Sequence, residues 1–290
     1  MRLAALGAAT AFFVSCSGDD EPRNGPITAR FGNDIHLVEA DGSGRRKLPG
    51  LSGVSGVEWS RDGVWIAFAD GVERMDLYVA MPDGSARRLV ARNAEAPSWS
   101  PDGKAIAFMR FVCVEPPICA DVDNPYELFV VEVDGGAARR LTFNRGYDGN
   151  PSWSPDGEWI AFESDNGLSI MRPDGTKGRR LTRRFTSNPS WSPNGKLIAF
   201  DDYGDVYVVA VAGGRPQRLT RNPGPDFHPA WSPDGRMIAY LSNPICAERG
   251  GCTAHEPQQV WIMNEDGSDS RAVTGFNWGP PSWAPSRSED

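Results

Sequence analysis

The 290-residue chain carries 32 Gly and 24 Pro, roughly a fifth of its residues against about 12% for the pair in an average protein. With 40% hydrophobic and 10% aromatic residues it has the material for a packed core, which excludes a disordered chain, while the density of turn formers excludes a long helical bundle. Thirty basic against 38 acidic residues give a net charge of -8, and no basic block is long enough to track a phosphate backbone, so nucleic acid is excluded as a partner.

At the N-terminus Arg2 precedes the mostly apolar stretch from Leu3 to Val14, which is followed by Ser15, Cys16 and the polar run Ser17-Gly18-Asp19-Asp20. The stretch fits a secretory h-region and falls short of the about 20 residues a spanning helix needs. Residues 1–15 are therefore expected to be a signal peptide, residues 16–26 a polar tether and residues 27–286 the folded unit. Phe13-Val14-Ser15-Cys16 resembles a bacterial lipobox, with Phe13 where that family usually has Leu. The resemblance implies that Cys16 is lipidated on its thiol and becomes the mature N-terminus. Ordinary cleavage nearby, with Cys16 lost, is the alternative.

From Val57 onward one unit recurs around Trp59, Trp99, Trp153, Trp191, Trp231 and Trp283, as in Pro97-Ser98-Trp99-Ser100-Pro101-Asp102-Gly103. In the first five copies an apolar triplet opens seven residues after the Trp, as Ile66-Ala67-Phe68, Ile106-Ala107-Phe108, Ile160-Ala161-Phe162, Ile198-Ala199-Phe200 and Ile238-Ala239-Tyr240. Asp-Gly between the two segments is a hairpin signal, because Gly accepts the positive φ of such turns. A second set of hairpins interleaves: apolar pairs such as Leu77/Val79 and Val206/Val208, then a Gly turn, then segments such as Arg87-Arg88-Leu89-Val90 and Arg218-Leu219-Thr220. Each unit is thus a four-stranded antiparallel meander, with strand A at Trp, B at Ile-Ala-Phe, C at the apolar pair and D at the Arg-Leu segment. Such units bury their faces only by stacking around an axis. The chain begins with B, C and D (Ile27 to Phe31, Ile35 to Leu37, Arg46 to Leu48) and ends with a lone A at Trp283. The expected fold is all-β, a six-bladed β-propeller in which the C-terminal strand completes the N-terminal blade and removes an open sheet edge.

The Trp-Ser-Pro-Asp-Gly-x-x-Ile-Ala-Phe unit resembles the WD40-like PD40 repeat of TolB-type propellers, found also in the propellers of prolyl oligopeptidase-type and tricorn-type peptidases. The resemblance covers residues 27–285 and implies the fold. The chain departs from TolB in lacking an N-terminal α/β domain, and from the peptidases in lacking a Gly-x-Ser-x-Gly elbow. The repeated Trp, Asp and Gly residues read as framework, since every blade carries them.

Intervals between the motif Trp residues are 40, 54, 38, 40 and 52. The extra residues fall between strands B and C, from Met109 to Tyr126 in the second blade and from Leu241 to Gln259 in the fifth, which places two insertions across one mouth of the channel. Each holds two cysteines, Cys113 with Cys119 and Cys246 with Cys252, expected as local disulfides in an exported protein. The D-to-A loops of the same rim add Asp148, Asn150, Asn188, Asp226, Phe227 and His228 as candidate binding residues, and His255 lies in the second insertion. His228 before Pro229 also fits a simple turn role. The Arg pairs at strand D read as edge charge that discourages edge pairing, with anionic lipid or glycan as the alternative. No catalytic triad, HExxH, P-loop or dinucleotide motif is present, and no metal site or cofactor is expected.

The function expected is a non-enzymatic, membrane-tethered scaffold outside the bacterial cytoplasmic membrane, monomeric and binding an envelope protein or peptide, since TolB docks on a peptidoglycan-associated lipoprotein. The competing classes are a propeller polysaccharide lyase and a carbohydrate-binding protein.

Overall fold

The computed structural model describes residues 24–72, 74–112, 126–144, 146–183, 186–222, 224–243, 258–277 and 279–285. Cys16, the four cysteines of the insertions and His255 lie outside the described residues. The first three strands are β1 (Asn24–Phe31), β2 (Asp34–Val38) and β3 (Arg46–Ser52). Blade one follows as β4 (Ser55–Trp59), β5 (Ile66–Asp70), β6 (Asp76–Ala80) and β7 (Arg88–Ala91); blade two as β8 (Glu95–Trp99), β9 (Ala105–Phe111), β10 (Tyr126–Glu132) and β11 (Arg139–Arg140). Blade three is β12 (Asp148–Trp153), β13 (Ile160–Ser164), β14 (Gly167–Met171) and β15 (Arg179–Arg180), and blade four β16 (Ser187–Trp191), β17 (Leu197–Asp202), β18 (Asp205–Ala210) and β19 (Gln217–Arg218). Blade five is β20 (Asp226–Trp231), β21 (Met237–Ser242), β22 (Gln258–Asn264) and β23 (Arg271–Asn277), and β24 (Ser282–Pro285) ends the described chain.

Each blade is one four-stranded antiparallel sheet, and β24 pairs with β1 to give blade six the order β24-β1-β2-β3. The fold is a six-bladed β-propeller, closed as the order of the sequence segments requires. Strand B is the buried centre of each blade: Ile66, Ala67, Phe68, Ile106, Ala107, Phe108, Ile198 and Ala199 are among its side chains with essentially no exposure. Clusters of such residues with the motif Trp of the following blade fill the wedges between blades, as where Ala161, Ile170 and Leu168 of blade three meet Trp191 and Ile198 of blade four.

The motif residues hold the hairpins and the ring. Ser60 donates to the Asp62 carboxylate and accepts the Trp65 N–H at 2.9 Å, while Asp62 accepts the Val64 N–H at 3.0 Å; the same set recurs at Ser100, Ser154 and Ser232, and at Ser192 with the Asn194 amide oxygen in place of the carboxylate. Between blades, Trp99, Trp191 and Trp283 donate their indole N–H to the carbonyls of Glu58, Ser152 and Ala230 at 3.2, 2.9 and 3.1 Å.

Strand D is shorter than the Arg-Leu-Thr segments suggest, reduced to Arg139–Arg140, Arg179–Arg180 and Gln217–Arg218 in blades two to four. Thr142, Thr182 and Thr220 accept the N–H of Leu128, Leu168 and Val206 through their hydroxyls at 2.9–3.0 Å, and Thr274 does the same for Val260 beside the seven-residue β23. The strand-D arginines also latch neighbouring blades: Arg139 donates to Pro173 O at 2.8 Å, Arg179 to Val211 O at 2.6 Å and Arg271 to Ala40 O at 3.0 Å, each the carbonyl just before the next blade's C-to-D turn. Arg139→Met, which keeps the apolar stem and removes this charged donor, is expected to lower stability by about 1 kcal/mol in denaturant titration, the scale of one exposed hydrogen bond.

Candidate functional site at the channel mouth

The six A strands line a central channel. On the side where D-to-A and B-to-C connections lie, here the upper rim, a cavity of about 340 Å³ is bounded by residues three to one before each motif Trp. Strand A breaks register with strand B at that point in blades one to five. The residue three before Trp is left-handed in all five: Gly56 (φ 60), Ala96 (φ 49), Asn150 (φ 46), Asn188 (φ 53) and His228 (φ 52). Asn and His tolerate this conformation better than most residues. The bulge thus turns Asn150, Asn188 and His228 toward the channel, where all three line the cavity.

Two buried acids behind these residues carry a polar arc across blades three to five. Asn150 Nδ2 donates to Glu163 Oε2 at 2.8 Å, and Ser187 of blade four donates to Glu163 Oε1 at 3.1 Å. Asn188 Nδ2 donates to Asp201 Oδ1 at 2.9 Å, and the backbone N–H of His228 donates to the same oxygen at 3.0 Å. Burial pushes the Asp201 carboxyl up to about 7 and raises that of Glu163, against the lowering effect of these hydrogen bonds. Desolvation holds the His228 imidazole down at about 4, neutral at pH 7. In blades one and two the matching positions are Gly56 with Ala69 and Ala96 with Met109, which carry no polar side chain.

Asp148 and Asp226 sit behind the mouth, 2% and 0% exposed. Asn144 donates to Asp148, and Asn222 donates to both oxygens of Asp226 at 3.0 and 2.9 Å. Burial raises both carboxyls to about 6. They fasten the D-to-A loops of their blades. Phe227 is half-buried opposite Leu241. Glu163 and Asp201, absent from the sequence candidates, carry the hydrogen bonds that Asn150, Asn188 and His228 make.

The upper rim also gathers the exposed aromatics. Among the described residues, Phe111, Phe143 and Tyr203 are 48%, 76% and 87% exposed; they stand at the end of β9, in the loop from β11 to β12 and in the turn from β17 to β18. Phe111 meets Tyr126 edge-on at 5.6 Å and Tyr126 meets Tyr147 at 5.9 Å, a row leading from the rim toward Asn150, whose amide donates to the Tyr147 hydroxyl. Among the described residues no three His, Cys, Asp or Glu side chains converge to hold a metal ion.

The PD40 model, described as the TolB beta propeller domain, matches residues 58–202, half of the chain. The chain belongs to this TolB beta-propeller family. Over 131 residues it is 30% identical to an uncharacterized protein, Atu1656, of Agrobacterium fabrum, covering 42% of this chain and 41% of that one. Over 98 residues it is 28% identical to the Tol-Pal system protein TolB of Francisella tularensis subsp. mediasiatica, covering 32% of this chain and 20% of the relative. The matched segments thus span less than half the length of these curated relatives. The crystal structure of TolB from Acinetobacter baumannii superposes with a TM-score of 0.71 at 22% identity, over 90% of this chain and 67% of that one. An oligogalacturonate lyase in complex with manganese shares the fold at a TM-score of 0.56 and 14% identity, over 82% and 69% of the two chains.

In this TolB-type propeller the repeated residues are spent on the ring, and the mouth is built from what the repeat leaves free. It presents amide and carboxyl groups on the arc of blades three to five, Glu58 of blade one on the opposite side, and exposed aromatic rings around them.

Proposed function

We propose that this propeller is a non-enzymatic scaffold that binds a protein or peptide of the cell envelope through its upper rim, acting as a monomer tethered outside the cytoplasmic membrane by lipidated Cys16. Cys113 with Cys119 and Cys246 with Cys252 serve in this reading as local disulfides that brace the two longer B-to-C connections of that rim. The observation that carries it is the gathering of Phe111, Phe143 and Tyr203 on the rim that holds Asn150, Asn188 and His228. Exposed aromatic rings around a partly polar pocket are the composition of a protein interface, whose anchors are drawn from aromatic side chains.

The test is capture of partners from envelope extracts by the wild type and by a Phe111→Ser, Phe143→Ser, Tyr203→Ser variant. These surface changes leave the core intact, so a folded variant that loses at least tenfold of a specific partner is the expected outcome. An unchanged partner list would refute the rim as the binding face. A stoichiometric divalent metal contacting His228 in the purified protein would overturn the non-enzymatic reading in favour of a lyase.

A further inference from the structure

Blade one departs from the other five at three motif positions: Val57 stands where they carry Pro two before the Trp, and the other two departures are charged residues that face the channel. Immediately before the motif Trp, the other blades carry Ser98, Ser152, Ser190, Ala230 and Ser282; blade one carries Glu58. Two residues after the Trp, they carry Pro101, Pro155, Pro193, Pro233 and Pro285; blade one carries Arg61.

The prolines ring the lower mouth and knit it. The turn glycines Gly157, Gly195 and Gly235 each lie over the proline of the preceding blade, with room for a Cβ only 3.3–3.5 Å from its ring, and Gly63 lies still closer over Pro285. Gly103, which follows Arg61 in the ring, has nothing within 4 Å of that point. Arg61 instead reaches to blade three, donating from Nη1 to Pro155 O at 3.0 Å. Glu58 lines both the upper cavity and a second one of about 420 Å³ that extends to the proline ring, so it stands at the level where the two meet.

Ser98 and Ser190 at this level accept the N–H of Trp153 and Trp231 in the next blade at 3.0 and 3.2 Å, and the Glu58 carboxyl takes the same bond from Trp99; the charge and the second oxygen of Glu58 exceed what that bond needs. Burial drives its pKa up to about 8 against the lowering effect of the Trp99 N–H and the Ser98 hydroxyl, with no cation contributing. A half-buried carboxyl without a positive partner weakens the fold when it ionises, and supplying the partner recovers that loss. One carboxyl among serine hydroxyls suits a primary ammonium, whose three N–H donors need several acceptors around one charge. A metal ion would need more anionic ligands than this level offers.

We propose that the channel is a cup, crossed below by Arg61, whose Glu58 receives a primary ammonium group presented by the bound partner through the upper mouth. This rests on the rim-binding reading and adds to it the chemistry of the inserted group. That group is either a lysine side chain or a peptide's own N-terminus, and the two are separable by experiment.

Three pentapeptide amides, Ac-Gly-Ser-Lys-Ser-Gly, free-amine Gly-Ser-Gly-Ser-Gly and Ac-Gly-Ser-Gly-Ser-Gly, are titrated into the full chain at pH 7.5 by ligand-observed NMR. The inference expects one ammonium peptide to bind at least tenfold tighter than the acetylated glycine control; which one it is identifies the source. Glu58→Ser, which installs the residue of four other blades, and Glu58→Gln should both abolish the difference. Lysine-peptide binding should strengthen from pH 6.5 to 8.5 as the carboxyl ionises, if lysine is the source. Equal binding of all three peptides, binding by none, or an advantage that survives both substitutions would overturn the inference. Loss of partner capture in the rim aromatic variant, alongside any of those results, would leave the scaffold reading standing without it.

Discussion

Trp283→Ala is expected to destabilise the propeller by about 3–5 kcal/mol, the range for truncating a buried aromatic. Trp283 is 6% exposed and packs with Ile27, Ala29 and Val38 of its own blade and Ala239, Leu241 and Ile262 of blade five. Its indole N–H donates to Ala230 O at 3.1 Å. The residue therefore joins the two ends of the chain to each other and the sixth blade to the fifth. Removing residues 282–290 should go further. Strand β1 would lose its partner from Asn24 to Thr28, and Thr28 would lose the hydroxyl bonds it makes with the Ser282 backbone at 3.0 and 3.1 Å. An exposed edge lined by Ile27 invites pairing with another chain. Urea titration and light scattering read both effects: a lowered midpoint for Trp283→Ala, and self-association for the truncated chain. A truncated chain that stays monomeric with an unchanged midpoint would show that closure by β24 is dispensable.

The second large effect is a stability that rises as the solution is made moderately acidic. Glu58, Asp148, Asp201 and Asp226 have carboxyls raised by burial to about 8, 6, 7 and 6, and Glu163 is raised as well. Each holds its proton more tightly folded than unfolded, so the folded state binds more protons between about pH 4 and pH 8. The unfolding free energy therefore increases as pH falls through that window. For Asp201, 6% exposed, the shift from 3.8 to about 7 corresponds to on the order of 4 kcal/mol at 1.36 kcal/mol per pH unit. The turn aspartates act in the opposite sense: Ser and Thr hydroxyls hold Asp83, Asp174 and Asp266 below the usual carboxylate range, and what they contribute is lost only below about pH 4. Thermal unfolding between pH 4 and 8.5 should show greatest stability near pH 4–5. Asp201→Asn keeps an acceptor for Asn188 and the His228 N–H; it should raise stability at pH 8.5 by about 2–4 kcal/mol and leave it unchanged at pH 4. A wild type that loses stability steadily from pH 8 to 5 would contradict this assignment.

The architecture was legible because each blade spells its hairpins with the same residues. Trp, Asp-Gly and Ile-Ala-Phe at fixed spacing gave the strands, and the missing A strand at one end of the chain matched the extra one at the other. The length of strand D was not legible, because the same Arg and Thr positions accompany two-residue strands at Thr142, Thr182 and Thr220 and a seven-residue strand at Thr274. At the mouth, Asn150, Asn188 and His228 stood out by position, but the bulge that turns them inward has no residue signature: the same left-handed place is filled by Gly56 and Ala96. Glu163 and Asp201 escaped notice because their place after the apolar triplet holds Ala69, Met109 and Leu241 in the other blades. Each bonds the bulged Asn of its own blade and a group of the next, which only the folded ring brings together. Asp148 and Asp226 looked like rim residues, and the fold tucks them beneath the loops. Glu58 and Arg61 were legible in principle, as charged residues at motif positions that hold Ser, Ala or Pro in the other blades.

The most direct test of rim recognition places a photo-crosslinking amino acid singly at positions 143 and 203 on the upper rim, and at positions 64 and 104, just after the Asp-Gly turns of the opposite rim. The full chain is irradiated in living bacteria and the adducts are identified by mass spectrometry. The account predicts that positions 143 and 203 capture the same envelope protein and that positions 64 and 104 do not. Adducts to that protein from the opposite rim alone, or none from either upper position, would contradict it.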